Sequence, residues 1–425
     1  MNKPTLLKIA SILFGFCAAT AIASPAQVLT TLHDFQGPPS DGANPQAGLV
    51  RASDGNFYGT TFGGGAHTNG NCLSNDGCGT VFKITPTGTL TVLYSFCSQN
   101  NCSDGADPQA GLVQGSDGNF YGTTEVGGTG TECFYRTCGT VFKITPQGTL
   151  TTLYSFCSQS HCDDGANPSA PVVQASDGNF YGTTFEGGIL CHPVGCGTVF
   201  KITTGGVLTT LHRFNADDGY WPFSGLVQAT DGNLYGTTNL GGIDGLNGQG
   251  TVFKITTGGT LTTLYSFCSQ PNCSDGGDPY GALVQASDGN FYGVAVGGGA
   301  NGDGTVFKIT LSGTFSTLHS FAGLSDGAYP YAALVQGSDG NFYSTTFEGG
   351  THDAGTVFKI TPSGVLTTLH NFAGHPTDGA LSSAPLVQTG EGSLYGTTAS
   401  GGNSNYGTVF RLTLPRTCAL CPNVE

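Results

Sequence analysis

From Val28 onward the chain is a succession of short runs rich in β-branched and aromatic residues, each closed by a turn signal. Residues 47–52 (AGLVRA), 57–61 (FYGTT), 80–85 (TVFKIT) and 89–96 (TLTVLYSF) illustrate the pattern. Runs of this length and composition predict strands, and no segment carries helical periodicity. Ser53-Asp54-Gly55-Asn56 and Pro86-Thr87-Gly88 supply the residue types that tight hairpin turns demand.

The four runs recur as one unit. Its turn glycine stands at Gly55, Gly118, Gly178, Gly232, Gly289, Gly340 and Gly392, at intervals of 51 to 63 residues. Four antiparallel strands repeated at that period predict an all-β fold, a seven-bladed β-propeller with four strands per blade. The fourth run also occurs before the first unit, at residues 28–35 (VLTTLHDF), and is missing after the last third run, residues 408–413 (TVFRLT). The N-terminal strand is therefore expected to complete the last blade, which ties the ends and removes the open edges of the ring.

Lys3 and Lys8 followed by the apolar run 9–19 and by Ala21-Ile22-Ala23 resemble a secretory leader, residues 1–23. One propeller domain over 24–413 and a short tail over 414–425 follow. No later stretch approaches the roughly 20 apolar residues of a transmembrane helix, and the expected location is extracellular, periplasmic or at the cell surface. Among 425 residues, 13 Lys+Arg face 28 Asp+Glu, a formal charge of −15 with only 10% charged residues. Clustered cations for phosphate binding are absent, so nucleic acid is excluded as a partner. The expected partner is a polysaccharide or an extracellular protein, and the expected state is a monomer.

The phrases ASDGNFYGTT, a following double glycine, GTVFKIT and GTLTTLYSF resemble the tandem repeat named after Gloeobacter and Verrucomicrobia, over residues 28–413. The resemblance implies a bacterial surface or secreted protein, of a family with interchangeable C-terminal anchors and no established activity. The ending TCALCPNVE departs from that anchored pattern, so release is expected. More distantly the units are similar to kelch and NHL-type propeller blades.

Beyond the leader, fourteen cysteines fall into close pairs. Even count, local pairing and export predict the disulfides Cys72–Cys78, Cys97–Cys102, Cys133–Cys138, Cys157–Cys162, Cys191–Cys196, Cys268–Cys273 and Cys418–Cys421. Loops of about six residues give each a stabilisation of roughly 2 kcal/mol in the chain-entropy picture. A zinc site is disfavoured because each pair stands alone along the chain. In a meander blade the loops between second and third strands and those between blades emerge on one face. That long-loop face carries six of the pairs and is the expected recognition surface.

Asp41, Asp104, Asp164 and Asp275, with Asn44, Asp107, Asn167 and Asp278 three residues on, form an Asp-Gly pattern compatible with calcium. A turn before a proline-started strand explains the pattern without metal, and no cofactor is expected. The hairpin aspartates, the repeated third-strand lysines and the alternating His and Tyr of the outer strand recur around the ring. Residues repeated in that way read as scaffold. Chemistry belongs to residues that break the repeat. Glu125, Glu186 and Glu348, beside the double glycines, are the candidate carboxylates for glycoside hydrolysis or uronic-acid elimination. Tyr220-Trp221-Pro222-Phe223 holds the sole Trp, and Tyr280, Tyr329 and Tyr331 occupy neighbouring loops. These aromatics are the candidate ligand-binding residues, suited to stacking on sugar rings or to a protein hot spot. The leading expectation is a secreted, non-catalytic binding module; the alternatives are a carbohydrate-active hydrolase or lyase and a structural cell-surface repeat protein.

Overall fold

The computed structural model describes residues 27–68, 72–130, 138–188 and 195–415. The expected leader and the cysteines Cys133, Cys191, Cys418 and Cys421 lie outside these residues.

The described residues form seven four-stranded antiparallel sheets arranged as propeller blades. In the first blade the strands are Val50–Arg51, Phe57–Thr61, Thr80–Ile84 and Leu90–Ser95. The second strand is buried along its whole length, as is all of the third except Lys83. Strands covered on both faces by neighbouring sheets leave little room for charge, which accounts for its scarcity in the sequence.

The inner strand is shorter than the run 47–52 suggests, pairing only Val50 with Tyr58 and Arg51 with Phe57. The residues before it leave the sheet because their carbonyls serve another partner. The Thr60 hydroxyl donates to Ala110 O of the next blade at 2.8 Å, and Thr123 repeats this on Ala170 O at 3.1 Å. The outer strand ends one residue early for a similar reason. Phe96 lies beyond it, completely buried, with its ring 5.2 Å from that of Phe142 in the next blade. Every outer strand also carries a register shift against the third strand, first seen between Val81 and Phe82. A bulge of this kind bends the strand and increases its twist.

Closure follows the sequence expectation. Val28–Asp34 pairs antiparallel with Thr408–Thr413, Val28 opposite Thr413 and Asp34 opposite Thr408. Phe35 then packs on Phe82 of the first blade at 5.4 Å, the contact that Phe96 and Phe142 make elsewhere. The Thr397 hydroxyl donates to Ala47 O at 2.9 Å across the same junction.

The repeated charges are scaffold, as expected. Asp54 accepts hydrogen bonds from the Asn56 backbone and side chain, from the Tyr58 hydroxyl and from Lys83 Nζ. Its burial opposes ionisation, but these donors outweigh it and hold the carboxyl near 2. On the same face each turn docks on the next blade: Ser53 N–H donates to Gln114 Oε1, and Ser116 N–H to Gln174 Oε1.

Candidate functional site

The loops between blades build the opposite face, and each begins from an aspartate that orders it. Asp104 Oδ2 accepts the Tyr94 hydroxyl at 2.7 Å, the Ser98 N–H at 2.9 Å and the Ser98 hydroxyl at 2.9 Å. Asp164 and Asp275 repeat the arrangement with Tyr154 and Tyr265. Where the outer strand carries histidine instead, His33 Nε2 stands 3.0 Å from Asp41, which also accepts the Gln36 and Gly42 N–H groups. The alternating His and Tyr are thus the aspartates' partners. The oxygens of the proposed calcium ligands Asp41, Asp104, Asp164 and Asp275 are engaged by these protein donors.

Asn44, Asp107, Asn167 and Asp278 do a different job. They adopt φ of 53 to 55°, and Trp221 (55°), Tyr329 (54°) and Leu381 (56°) do nearly the same at the same place in the other three blades. This left-handed conformation lets one residue bridge two blades. Asp107 N–H donates to Cys78 O of the preceding blade at 2.9 Å, while its own carbonyl accepts from Glu125 N–H at 3.1 Å. Trp221 N–H donates likewise to Cys196 O, and Asn239 N–H to Trp221 O. Asn and Asp tolerate this region through local hydrogen bonding, whereas bulky side chains pay about 1–2 kcal/mol to enter it. Trp221 and Tyr329 are therefore held at a backbone cost.

Two residues further along, each blade points a side chain into a central cavity of about 540 Å³. Around the ring these are Gln46, Gln109, Ser169, Phe223, Tyr280, Tyr331 and Ser383. One arc is aromatic and the other carries amides and hydroxyls. The aromatic arc is continuous: Phe185 stacks on Phe223 at 4.8 Å, Phe223 on Tyr280 at 5.0 Å, and Tyr280 meets Tyr331 edge-on at 5.1 Å. Phe347 extends it from Tyr331 at 5.2 Å, and Trp221 joins Phe185 at 6.2 Å and Tyr220 at 5.2 Å. Five of the six aromatics singled out from the sequence fall in this chain, with Phe185 and Phe347 as the links that composition did not reveal. Tyr329 stands apart from the chain, the most exposed of the group. Superposing the units on their prolines finds the cavity position directly, since 46, 109, 169, 223, 280 and 331 each follow a Pro.

The three candidate glutamates do not share one position. Glu125 leaves its second strand directly and aligns with Phe185 and Phe347, whereas Glu186 and Glu348 come one residue later. There their backbones clasp Ala166 and Ala328 of the adjoining loops. Burial, then the charges of Asp107 and Glu186, push the Glu125 carboxyl up to about 7. Burial alone raises Glu186 and Asp278. Tyr280 is raised to about 12 by burial, then by the Glu125 charge and by Tyr331, which places Glu125 within electrostatic reach of the aromatic arc.

Cys72–Cys78, Cys97–Cys102, Cys157–Cys162 and Cys268–Cys273 are disulfides with Cα separations of 4.0 to 5.2 Å. Cys138 and Cys196 are disulfide-bonded as well. Among the described residues no helix is long and apolar enough to cross a membrane.

The family model described as the Gloeobacter/Verrucomicrobia repeat matches residues 19–159, 71–274 and 244–420. No curated protein matches the chain. Among solved structures, a fungal alcohol oxidase in complex with copper is 12% identical, with a TM-score of 0.55, covering 91% of this chain and 76% of its own. A candidate 6-phosphogluconolactonase from Bacteroides uniformis is 16% identical with a TM-score of 0.49, covering 79% and 86%. A luciferin-regenerating enzyme is 12% identical with a TM-score of 0.44, covering 92% and 96%. At such identities the likeness concerns the fold alone.

Proposed function

For a chain that belongs to the Gloeobacter/Verrucomicrobia repeat family, we propose a secreted binding module that takes a neutral glycan chain at the mouth of the central cavity. The observation that carries this reading is the divided ring: Phe223, Tyr280 and Tyr331 on one arc, Gln46, Gln109, Ser169 and Ser383 on the other. Aromatic faces stack on the apolar faces of sugar rings, while amides and hydroxyls meet their hydroxyl rims. Asp278, two residues before Tyr280, supports the reading: its Oδ1 is buried without a protein hydrogen-bond partner, an acceptor suited to a hydroxyl donor. Acidic side chains lie around the aromatic arc, Glu125 within electrostatic reach of Tyr280 and Asp278 and Glu348 of Tyr331, while among the described residues no Lys or Arg lines the cavity, which favours a neutral over an anionic chain. The local disulfides fit an oxidising compartment, which supports export.

The test is binding of neutral oligosaccharides, on an array and by calorimetry, to the wild type and to Trp221→Ala and Tyr280→Ala. Tyr280→Ala weakens binding at least tenfold, and Trp221→Ala weakens it too. Affinity unchanged in both variants sinks the reading.

The raised Glu125 carboxyl favours one second reading, a carbohydrate-active enzyme. A carboxyl titrating near neutrality is a competent proton donor, and Glu186 is a nearby carboxylate. Reducing-end or unsaturated products released from a polysaccharide by the wild type, and lost in Glu125→Gln, would establish it. Binding without product release leaves the protein a lectin-like module.

A further inference from the structure

The cysteine pairs that stand alone along the chain do not stand alone in space. The loop between second and third strands of blade one carries Cys72–Cys78, and the loop leaving the same blade carries Cys97–Cys102. Both loops emerge on one face, and the sulfurs of Cys72, Cys97 and Cys102 lie within 4.8 Å of one another, all buried. The next junction repeats this with Cys138, Cys157 and Cys162. The following two junctions break the pattern. There Cys196 belongs to a blade whose outgoing loop (residues 214–219) has no cysteine, and Cys268–Cys273 leaves a blade whose inner loop (241–250) has none. The CSQ-x-x-C loop is therefore found both with and without a second disulfide against it, so a local staple does not explain the pairing of pairs.

Thiol–disulfide exchange requires a thiolate to reach one sulfur of a disulfide and pass through a mixed disulfide. We propose that the paired disulfides at the first blade junction form a thiol–disulfide exchange centre, in which a thiolate freed from one bridge attacks the other across the junction. An external dithiol supplies the two electrons and two protons that open Cys72–Cys78, leaving as its own cyclic disulfide. The Cys72 thiolate then attacks Cys97 or Cys102; a Cys72–sulfur bond forms, the Cys97–Cys102 bond breaks, and the displaced cysteine departs as a thiolate. That second step is redox-neutral. Entry is at Cys72, which keeps 7% of its surface exposed beside an exposed Leu73.

The exchange has a route to Asp107, which bridges blades one and two. Asp107 N–H donates to Cys78 O at 2.9 Å, and the Asp107 carboxylate accepts from Leu73 N–H. Moving the 72–79 loop disturbs these two contacts of Asp107, the residue whose charge helps raise Glu125. The exchange itself stands on the sulfur geometry and is independent of the glycan reading.

The test begins with Cys78→Ser in the oxidised full-length chain, mapped by mass spectrometry of non-reduced peptides after alkylation of free thiols. The expected result is Cys72 joined to Cys97 or Cys102, with the displaced cysteine alkylated. In the isolated pair, Cys273→Ser leaves Cys268 as the alkylated thiol, with no cross-linked peptide. Cys72 alkylated and Cys97–Cys102 intact overturns the proposal. Should the variant fail to fold, the wild type decides: one equivalent of dithiothreitol followed by acid quenching yields Cys72–Cys97 or Cys72–Cys102 peptides. Recovery of native pairs alone, reduced independently of one another, overturns it as well.

Discussion

At the residue scale, the seven left-handed positions show how one backbone demand can be met by chemically different side chains. Asn44, Asp107, Asn167 and Asp278 suit the conformation, whereas Trp221, Tyr329 and Leu381 bear its cost. Tyr329, 36% exposed and outside the aromatic chain, gains no ring contact among the described residues against that cost. Tyr329→Asn is therefore expected to stabilise the protein by about 0.5–1 kcal/mol, read from the denaturant midpoint. Glu125 makes a prediction of opposite kind. Its carboxyl titrates at about 7 in the folded chain against an ordinary 4.5, so the folded state binds the proton more tightly. Stability contributed by that proton is full below pH 4.5 and is lost as pH rises through 7. Denaturant midpoints measured from pH 5 to 8 should fall in the wild type and fall less in Glu125→Gln. The hairpin aspartates act in reverse: their carboxyls are held low, so the stability they add is present above pH 4 and lost on acidification.

At the element scale, the unit is stabilised less by its own strands than by what it inserts into its neighbour. Phe96 reaches into the second blade, Phe156 into the third and Phe35 into the first, each against a third-strand Phe at 5.2–5.4 Å. The glycine before each TVF run serves the same junction. Gly79 has φ of +89°, and a Cβ there would lie 2.5 Å from both Thr61 O and Pro108 Cδ of the next blade. Gly79→Ala is expected to cost at least ~1–2 kcal/mol through its backbone conformation alone, seen as a lowered melting temperature. The recurrence of a Gly before each TVF run and of a Pro in most loops between blades was visible in the sequence. Its reason was not, because the two residues meet only across a junction.

At the scale of the whole molecule, the ring depends on one non-local pairing. Deleting residues 1–35 removes the outer strand of the last blade together with the Phe35–Phe82 contact. Calorimetry of that truncation should show a lower and broader transition than the full chain, since an open ring exposes two edges and loses its cooperativity. Thr397→Val, which removes only the bond to Ala47 O, should cost about 1 kcal/mol and leave the transition sharp.

Strand types, turn residues, blade count and the role of the first strand were legible in the amino-acid order because each rests on local pattern and repetition. Hairpin turns and strand propensities act over a few residues, and the seven-fold recurrence made the ring's closure a matter of counting. The aromatic candidates were legible too, as departures from the repeat. What only the tertiary structure decided is which of them meet: that Phe185 and Phe347 link the arc, that Glu125 stands apart in register from Glu186 and Glu348, and that two pairs of disulfides touch. Those facts arise where loops and blades face one another and the central cavity, where residues about 16 to 60 positions apart are brought together by packing. Within a unit each strand is coded by its own residues; between units the contact is set by burial, and sequence separation carries no record of it.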